Sequence, residues 1–376
     1  MTFLPSSVML GLFIGKESPK AAGRDLAQAL QRVEVTLQED GPSGFQIEFL
    51  ATTKRGDLSS PMTNPLLEPD NRVILTITLN ANPRLLMDGI ITYREVEAGR
   101  EPGSFNIVIT GEDVSIMMDK NKVGKGHPAQ DDAAVAREII SSYSRYGLKA
   151  DITPPKSTYT PSTNDPVPMQ QQTDLGYLKE IAKRYGYVFY IIPGPGKGEN
   201  TAHWGPAKRV GRSQPALSIN MGPFTNVESI QFSTNFLAPE VIEGIVQDRD
   251  DNQVIRIQPS EAPSPKLAKQ SLDALQVRHV RFRGSGLKAS WATSIAKAQS
   301  DASFLNLLTA NGVLDTFRYG DLLQPHSLVD LRGAGLGYDG KWQVSRVNHL
   351  IRRGEYKQRF TLARDGLGST IQKVQT

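Results

Sequence analysis

Asp339-Gly340-Lys341-Trp342-Gln343-Val344-Ser345-Arg346-Val347-Asn348-His349, followed closely by Gly354-Glu355-Tyr356-Lys357-Gln358-Arg359-Phe360-Thr361-Leu362-Ala363-Arg364, is the stretch on which the fold is read. Its glycines turn the chain. Between them apolar and polar residues alternate, which is the two-residue period of a strand with one face on a core. Trp342 to Val347 and Arg359 to Ala363 are therefore read as strands. His349, set in this pattern, reads as a group that hydrogen-bonds within the β unit and not as a reactive one.

Working outward, Leu322-Leu323 and Leu328 to Leu331 are further apolar segments bounded by Gly or Pro. Ile219, Val227, Ile230 and Phe232 sit in strand-like segments, and Val241 to Ile257 reads as a hairpin turning around Asp248 to Asn252. One long helix is expected over Trp291 to Leu308, with Ala292, Ile295, Ala296, Ala302, Leu305 and Leu308 apolar and Gly312 soon after. Strands split by a helical insertion describe a second barrel. The first hundred residues repeat the β pattern. Val33, Val35 and Leu37, then the turn chemistry of Glu39 to Gly44, then Phe45, Ile47 and Phe49 predict a hairpin. Val73 to Leu79, Leu86 to Tyr93 and Phe105 to Ile109 add strands at short spacing, as in a small barrel or sandwich.

The middle changes period. Asp131-Asp132 reads as an N-terminal cap, Val135, Ile139, Ile140 and Tyr143 as a helical stripe, and Gly147 as the glycine that stops it. Pro154 to Pro168 reads as an extended surface loop. Asp174 can cap a second helix carrying Leu175, Leu178, Ile181, Ala182 and Tyr185, ended by Gly186 and followed by a strand, Tyr187 to Ile192. Pro193 to Gly198 is a turn cluster. The expected fold is mixed and mainly β (α+β). It has two similar small β-barrels, an α/β insertion between them, and a helical insertion in the second. The divisions are 1-115, 116-205 and 206-376, with the helical insertion around 265-310.

No constellation demands catalysis. His127, His203, His279, His326 and His349 show no metal-ligand spacing, and without cysteine a zinc site needs distant carboxylates. They read as surface or packing residues. No G-x-S-x-G elbow is present, although a triad assembled by the fold stays open. Gly333-Ala334-Gly335-Leu336-Gly337 leads into a turn and strand, not the helix that would hold a pyrophosphate. Gly194 to Lys197 lacks the spacing and the Ser/Thr of a phosphate loop, and Pro195 removes an N–H. Asp131-Asp132 is explained by the helix dipole. The expectation is no enzyme, with no catalytic, cofactor or metal residue nominated and no cofactor.

Composition agrees. The 376 residues carry a net charge of +4 with 43 basic and 39 acidic residues interspersed, unlike the concentrated patch of a nucleic-acid binder. The densest basic cluster, Arg278, His279, Arg281 and Arg283, reads as a solvated edge strand or loop. Cysteine is absent, so disulfides and thiolate metal sites are excluded. Met1 to Gly15 has no basic n-region and only a short apolar run, which predicts neither a signal peptide nor a membrane span. A soluble chain made in the cytoplasm follows.

Two stretches resemble one family. The first is Met169-Gln170-Gln171-Gln172-Thr173-Asp174-Leu175-Gly176-Tyr177-Leu178-Lys179-Glu180-Ile181-Ala182, continuing through Lys183-Arg184-Tyr185-Gly186-Tyr187-Val188-Phe189-Tyr190. The second is the 339–364 stretch quoted above. Together they resemble the phage late control protein D group, the baseplate hub proteins of contractile tails, whose fold also forms the hub half of VgrG-type proteins. The first matches that family's capped, Leu-rich helix stepping through Gly-Tyr into an aromatic strand. The second matches its closing hairpin. The β–α/β–β order extends the likeness over nearly the whole chain.

This resemblance implies a structural subunit without the spike domain. It implies a homotrimer whose two tube-type barrels per chain form a pseudo-sixfold ring, seated on a hexameric tail tube and joined to a trimeric spike. The implied partners are other copies of the chain, the tail tube or a tube-initiator protein, a separate spike protein and other baseplate components, with no specific nucleic acid and no membrane insertion. Assembly in the baseplate of a phage virion or contractile injection particle follows, around a polar, charged lumen. Two alternatives stand beside it: a tail-associated hydrolase, which needs carboxylates or histidines converging in a pocket, and a stand-alone β-rich adaptor, which needs a stable monomer.

Overall fold

The computed structural model of the chain describes residues 8–39, 41–52, 60–156, 158, 160–161, 167–248, 252–257, 265–270, 277–283, 287–305 and 307–369. The first region runs β1 (Val8–Gly15), β2 (Lys20–Ala21), α1 (Arg24–Ala29), β3 (Leu30–Gln38), β4 (Gly44–Thr52), α2 (Ser60–Thr63), β5 (Arg72–Leu79), β6 (Asn82–Ala98) and β7 (Ser104–Asp113). The middle holds β8 (Lys125–Gly126), α3 (Asp132–Ser142), β9 (Leu148–Ile152), β10 (Met169–Gln170), α4 (Asp174–Arg184), β11 (Tyr187–Pro193) and β12 (Asn200–Pro206). The last region holds β13 (Gln214–Ser218), β14 (Val227–Thr234), β15 (Glu240–Gln247), β16 (Val254–Ile257), β17 (Ala268–Gln270) and β18 (Arg278–Arg281). It ends with α5 (Ala289–Phe304), β19 (Leu308–Asp315), α6 (Thr316–Tyr319), β20 (Ser327–Arg332), β21 (Gly340–Arg352), β22 (Glu355–Arg364) and β23 (Leu367–Ser369).

Strands from both β regions merge in one sheet of thirteen, along the path β14-β19-β22-β21-β3-β4-β7-β6-β5-β1-β2, with β20 on β21 and β13 on β20. The two regions are repeats of one unit. In space β3-β4-β7-β6-β5 matches β14-β19-β22-β21-β20, and the chain visits both sets in the same sequence. Even the irregularities agree. β6 pairs first with β5 and then with β7, with a register shift between Ile91 and Tyr93. β21 pairs first with β20 and then with β22, with its shift between Val344 and Arg346. Such bulges bend a strand so that it serves two neighbours in turn. The units are joined where β21 pairs antiparallel with β3, from Arg346 opposite Gln38 to Arg352 opposite Arg32.

The β3-β4 hairpin places Val35 opposite Phe45 and Val33 opposite Ile47, and both pairs enter the first core with Ile107, Ile109 and Leu75. Trp342, Val344, Val347, Phe360 and Leu362 form the second core with Val329 and Leu308. The mainly β α+β expectation with two similar units is met. The pairing forms an open sheet, with no closed barrel among the described residues.

The middle region has its own core around Leu178, Ile181, Ile140 and Trp204, under the sheet β11-β12-β9. Asp131 caps α3 by accepting the Ala134 N–H at 2.7 Å. Gly147 ends the following turn in the left-handed region at φ 74°, where a Cβ would stand 1.8 Å from the Gly198 carbonyl oxygen.

Several details differ from expectation. The cap of α4 is Thr173, whose hydroxyl accepts the Gly176 N–H at 3.1 Å, while Asp174 is the first helical residue. The long helix ends at Phe304, and Leu308 and Gly312 belong to β19. Leu305 and Leu308, three apart, extend the apolar stripe by coincidence. Gly312 is needed as glycine because the Phe360 ring and the Ser229 carbonyl crowd its α-carbon. Leu322 and Leu323 are buried but lie outside strands. The β15-β16 hairpin forms as expected, although 249–251 of its turn lie outside the described residues. So do parts of the Pro154 to Pro168 loop, of the 265-310 insertion and of the amino terminus. Among the described residues no helix is long and apolar enough to cross a membrane.

Candidate functional site

Because strand side chains alternate, a sheet with one face on a core must present a second face. Here that face is continuous across the join. It runs from Ser229 and Gln231 on β14 through Asn311 on β19, then Arg359 and Thr361 on β22, and Arg346 and Asn348 on β21. It continues through Glu34 and Thr36 on β3, Gln46 and Glu48 on β4, Thr110 on β7, and Tyr93 and Glu95 on β6. Eight strands thus build one polar surface. It carries both signs, with Arg346, Arg352, Glu355, Lys357 and Arg359 in the second unit and Arg32, Glu34, Glu48, Glu95 and Glu97 in the first. Arg346 and Arg359 form no ion pair among the described residues, although the Arg359 charge helps to hold the Glu34 carboxyl low.

The join is held by polar side chains. Asn348 donates to Glu34 Oε1 at 2.8 Å and to Thr36 Oγ1 at 2.8 Å. Arg32 donates to Glu48 at 2.8 Å and also bonds Glu34. Partial burial pushes the Glu34 carboxyl up, but the bonds from Asn348 and Arg32 outweigh it and hold the group below the usual carboxylate range. Glu34 is therefore ionised on this face.

A second polar connection ties the α/β insertion to the first unit. Arg72 grips Asp88 through two bonds of 2.7 Å, and all but a few per cent of both residues is buried. The same guanidinium donates to the Tyr146 carbonyl at 2.9 Å. Asn200 donates to Asp88 at 2.9 Å and to Tyr146 at 3.0 Å. This cluster thus bolts β5 and β6 to the turn that follows α3 and to β12.

The histidines are mostly structural. His127 bonds Gln170 at 3.1 Å, and His203 bonds Asp151 at 2.8 Å. The His326 ring stacks on Tyr190 at 3.4 Å, and His349 meets the Tyr356 hydroxyl at 3.0 Å inside the core. His279 is exposed beside Glu243 at 3.3 Å. No group of three or more His, Asp or Glu able to hold a metal stands among the described residues.

Two of these rings give the fold a pH dependence. Burial lowers His349 and His326 to about 3, while burial raises Asp113 to about 6. Unfolded, both imidazoles take a proton near pH 6.5, so their effect is absent above that pH and stability falls as pH drops toward 3. Asp113 works the other way, because the folded carboxyl binds its proton between pH 6 and its ordinary value. Taken by themselves, these three groups set two protons against one, a loss of about 1.4 kcal/mol per pH unit from about pH 6 to 4, which the raised Glu112 and Asp132 carboxyls oppose. Urea titrations at pH 7 and pH 5 should show that His349→Gln loses less stability, or gains more, on going to pH 5 than the parent does. An unchanged difference would remove His349 from this account.

The glycine-rich segments are turns. Gly333 to Gly337 closes through the Tyr338 N–H on the Gly335 carbonyl at 3.0 Å and feeds β21. Gly194 to Lys197 joins β11 to β12, with the Gly194 N–H on the Glu199 carbonyl at 2.8 Å. The basic cluster lies on the edge strand β18 and just beyond it, where Arg278 pairs with Glu240 at 3.1 Å. Arg281 and Arg283 line a cleft of about 840 Å³ floored by Val280, Phe282 and Leu287. Sequence reasoning nominated no interface residues. The polar half of each alternation was visible, but not which strands stand side by side.

No family model matches the chain, and no curated protein sequence matches it. Solved structures do. It is similar to a tail protein from Neisseria meningitidis at 14% identity and TM-score 0.64, over 96% of this chain and 98% of that one. It is similar to the 43 kDa tail protein of prophage MuSo2 from Shewanella oneidensis at 11% identity and TM-score 0.63, over 95% and 98%. A component of the Escherichia coli type VI secretion system, described as structurally similar to bacteriophage T4 tail proteins, matches at 10% identity and TM-score 0.52, over 89% of this chain and 73% of that one. Identities this low establish a shared fold, and the resemblance drawn from the two stretches is met at that level.

Proposed function

We propose, from the phage-tail and VgrG-like hub fold that this chain has, that it is a structural baseplate hub of a contractile tail or contractile injection system. Three copies form a pseudo-sixfold ring that joins the hexameric tail tube to a trimeric spike. The observation that carries the reading is the repeated five-strand unit, with matching order and matching bulge, merged into one sheet with a polar face. A chain holding two copies of one unit gives six units in three chains. That number suits a sixfold tube while the chains keep the threefold symmetry of a spike.

In this reading the polar face lines the channel and the apolar cores lie outside it. Eight strands per chain make a wall of about 24 strands. At about 4.8 Å per strand, its bore is on the order of 35–40 Å before side chains are added. The chain is divided for this role as 1-115 and 206-376 for the two ring units and 116-205 for the α/β insertion. The ring role is non-catalytic, and the work is alignment and transmission of force.

The test is the mass of the purified chain, alone and with the spike protein encoded beside it, by light scattering and electron microscopy. A threefold ring with six similar lobes around an open bore is expected. A monomer under both conditions would sink the hub reading and favour an adaptor.

A further inference from the structure

The small sheet β16-β15-β18 belongs to neither repeated unit and packs on α5, with Ile242, Val246 and Ile257 against Ala292 and Ala296. β15 lies at its centre, so β18 is an edge. Its pairing with β15 is parallel, from Arg278 opposite Glu240 to Arg281 opposite Glu243. The Arg278 N–H donates to the Pro239 carbonyl at 3.2 Å, and the Phe282 N–H to the Glu243 carbonyl at 2.9 Å. In a parallel ladder every second residue turns its backbone groups to the same neighbour. Arg278, Val280 and Phe282 therefore face β15. His279 and Arg281 turn their N–H and C=O groups outward, where no strand stands among the described residues.

Strand side chains alternate, so the two sides of this edge carry different chemistry. On the α5 side, Val280 and Phe282 pack beside Ile242 and floor the cleft of about 840 Å³, which Trp291 and Ile295 of α5 also line. That volume falls within the roughly 300–1,000 Å³ of clefts that bury a ligand. On the other side His279 lies 3.3 Å from Glu243, the residue opposite Arg281. Arg281, and Arg283 just beyond the strand, are exposed at the rim and form no ion pair among the described residues. The rim's third arginine, Arg184, is already held by Asp132 at 3.2 Å and Glu180 at 2.7 Å.

We propose that β18 takes an extended segment of another protein as a fourth strand, and that this segment alternates apolar with acidic residues. Its apolar side chains enter the cleft over Val280 and Phe282, and its acidic ones meet Arg281 and Arg283. Main-chain bonds to His279 and Arg281 hold the segment, and the two unlike faces select it. Basic residues on an edge also keep strands from pairing at random. Here the two without a partner stand beside an open apolar cleft, so an acidic strand turns the repulsion into attraction and a basic one does not. The contact is independent of the ring, since β18 lies outside both five-strand units.

The probe is a fluorescein-labelled peptide in which glutamate and valine alternate over the length of a short strand. It is titrated with the full chain and read by fluorescence anisotropy, beside a control of the same composition with its valines grouped at one end. The alternating peptide should bind about tenfold more tightly than the control, and should weaken as salt rises. Arg281 is exposed, so Arg281→Glu should leave the fold intact and weaken binding about tenfold, as one attractive contact becomes repulsive. His279→Pro deletes an outward N–H and leaves the ladder to β15 complete. Its thermal melt should match the parent while affinity for the peptide falls about tenfold. Equal binding of the two peptides, or undiminished binding in either variant, overturns the proposal. Self-association of the chain that His279→Pro abolishes also overturns it, because the occupant is then a second copy. So does an oligothymidine that displaces the peptide and is lost in Arg281→Glu but kept in His279→Pro, because the edge is then a phosphate site.

Discussion

Asp88→Ala is expected to destabilise the folded chain by about 3–5 kcal/mol, because it leaves the buried Arg72 guanidinium without its counter-charge. The carboxylate also accepts from Asn200, so the same change frees that donor at the foot of the insertion. The loss should be local as well as global. Amides of α3 and β12 should exchange faster than those of β4 and β7, since the bolt between insertion and sheet has gone. Removing both charges in Arg72→Met with Asp88→Leu should recover much of the loss, because an apolar pair leaves no isolated charge behind. Denaturant melts of the three variants, followed by hydrogen exchange, provide the measurement. A loss under about 1 kcal/mol in Asp88→Ala would mean water reaches the site and the ion pair is not sealed.

Trp342→Ala should cost a similar amount, about 3–5 kcal/mol, by a different cause. The indole is completely buried in the second core opposite Val329, and its N–H donates to the Tyr338 carbonyl at 2.8 Å. Arg364 lies 5.3 Å over its ring, and the Phe232 ring stands 5.9 Å away. Truncation leaves a cavity and a loosened Phe232 on the edge strand β14, while the Tyr338 carbonyl keeps only the weaker bond from Arg364 at 3.3 Å. A thermal melt should record the loss as a lower melting temperature. Trp342→Phe, which keeps most of the volume and loses the N–H, should fall between. An alanine variant as stable as the parent would show that the core collapses around the gap.

Where the sequence was legible, the information was local. Val33 to Phe49 and Trp342 to Leu362 alternate, and both form antiparallel pairs because one face must be buried. Asp131 begins a helix and Gly186 follows the end of one as their capping chemistry requires, whereas Gly147 closes the short turn after α3, which itself ends at Ser142. The errors were also local. Thr173 caps in place of Asp174 because hydroxyl and carboxylate compete for the same N–H groups, and Leu305 and Leu308 mimic a helical stripe across a real break. What could not be read was pairing at a distance. Nothing in Glu34 points to Asn348, nor in Asp88 to Asn200, because hydrogen bonds across layers leave no period in the chain. The polar face was hidden for the same reason. Its residues are half of every alternation, and only the order of strands makes them one surface.

The join between β3 and β21 also sets the timetable of folding. Glu34 and Asn348 are separated by 314 positions, and the first core includes Leu322, Ile351 and Tyr356. At roughly 5–20 residues per second, a ribosome takes about 15–60 s to travel from one side of that join to the other. Throughout that interval β3 is an apolar-backed strand with an empty flank, the kind of surface that draws nascent chains together. The chain is thus exposed to misassembly longest at the strand that later joins its two halves, and its yield in the cell depends on how well that interval is shielded.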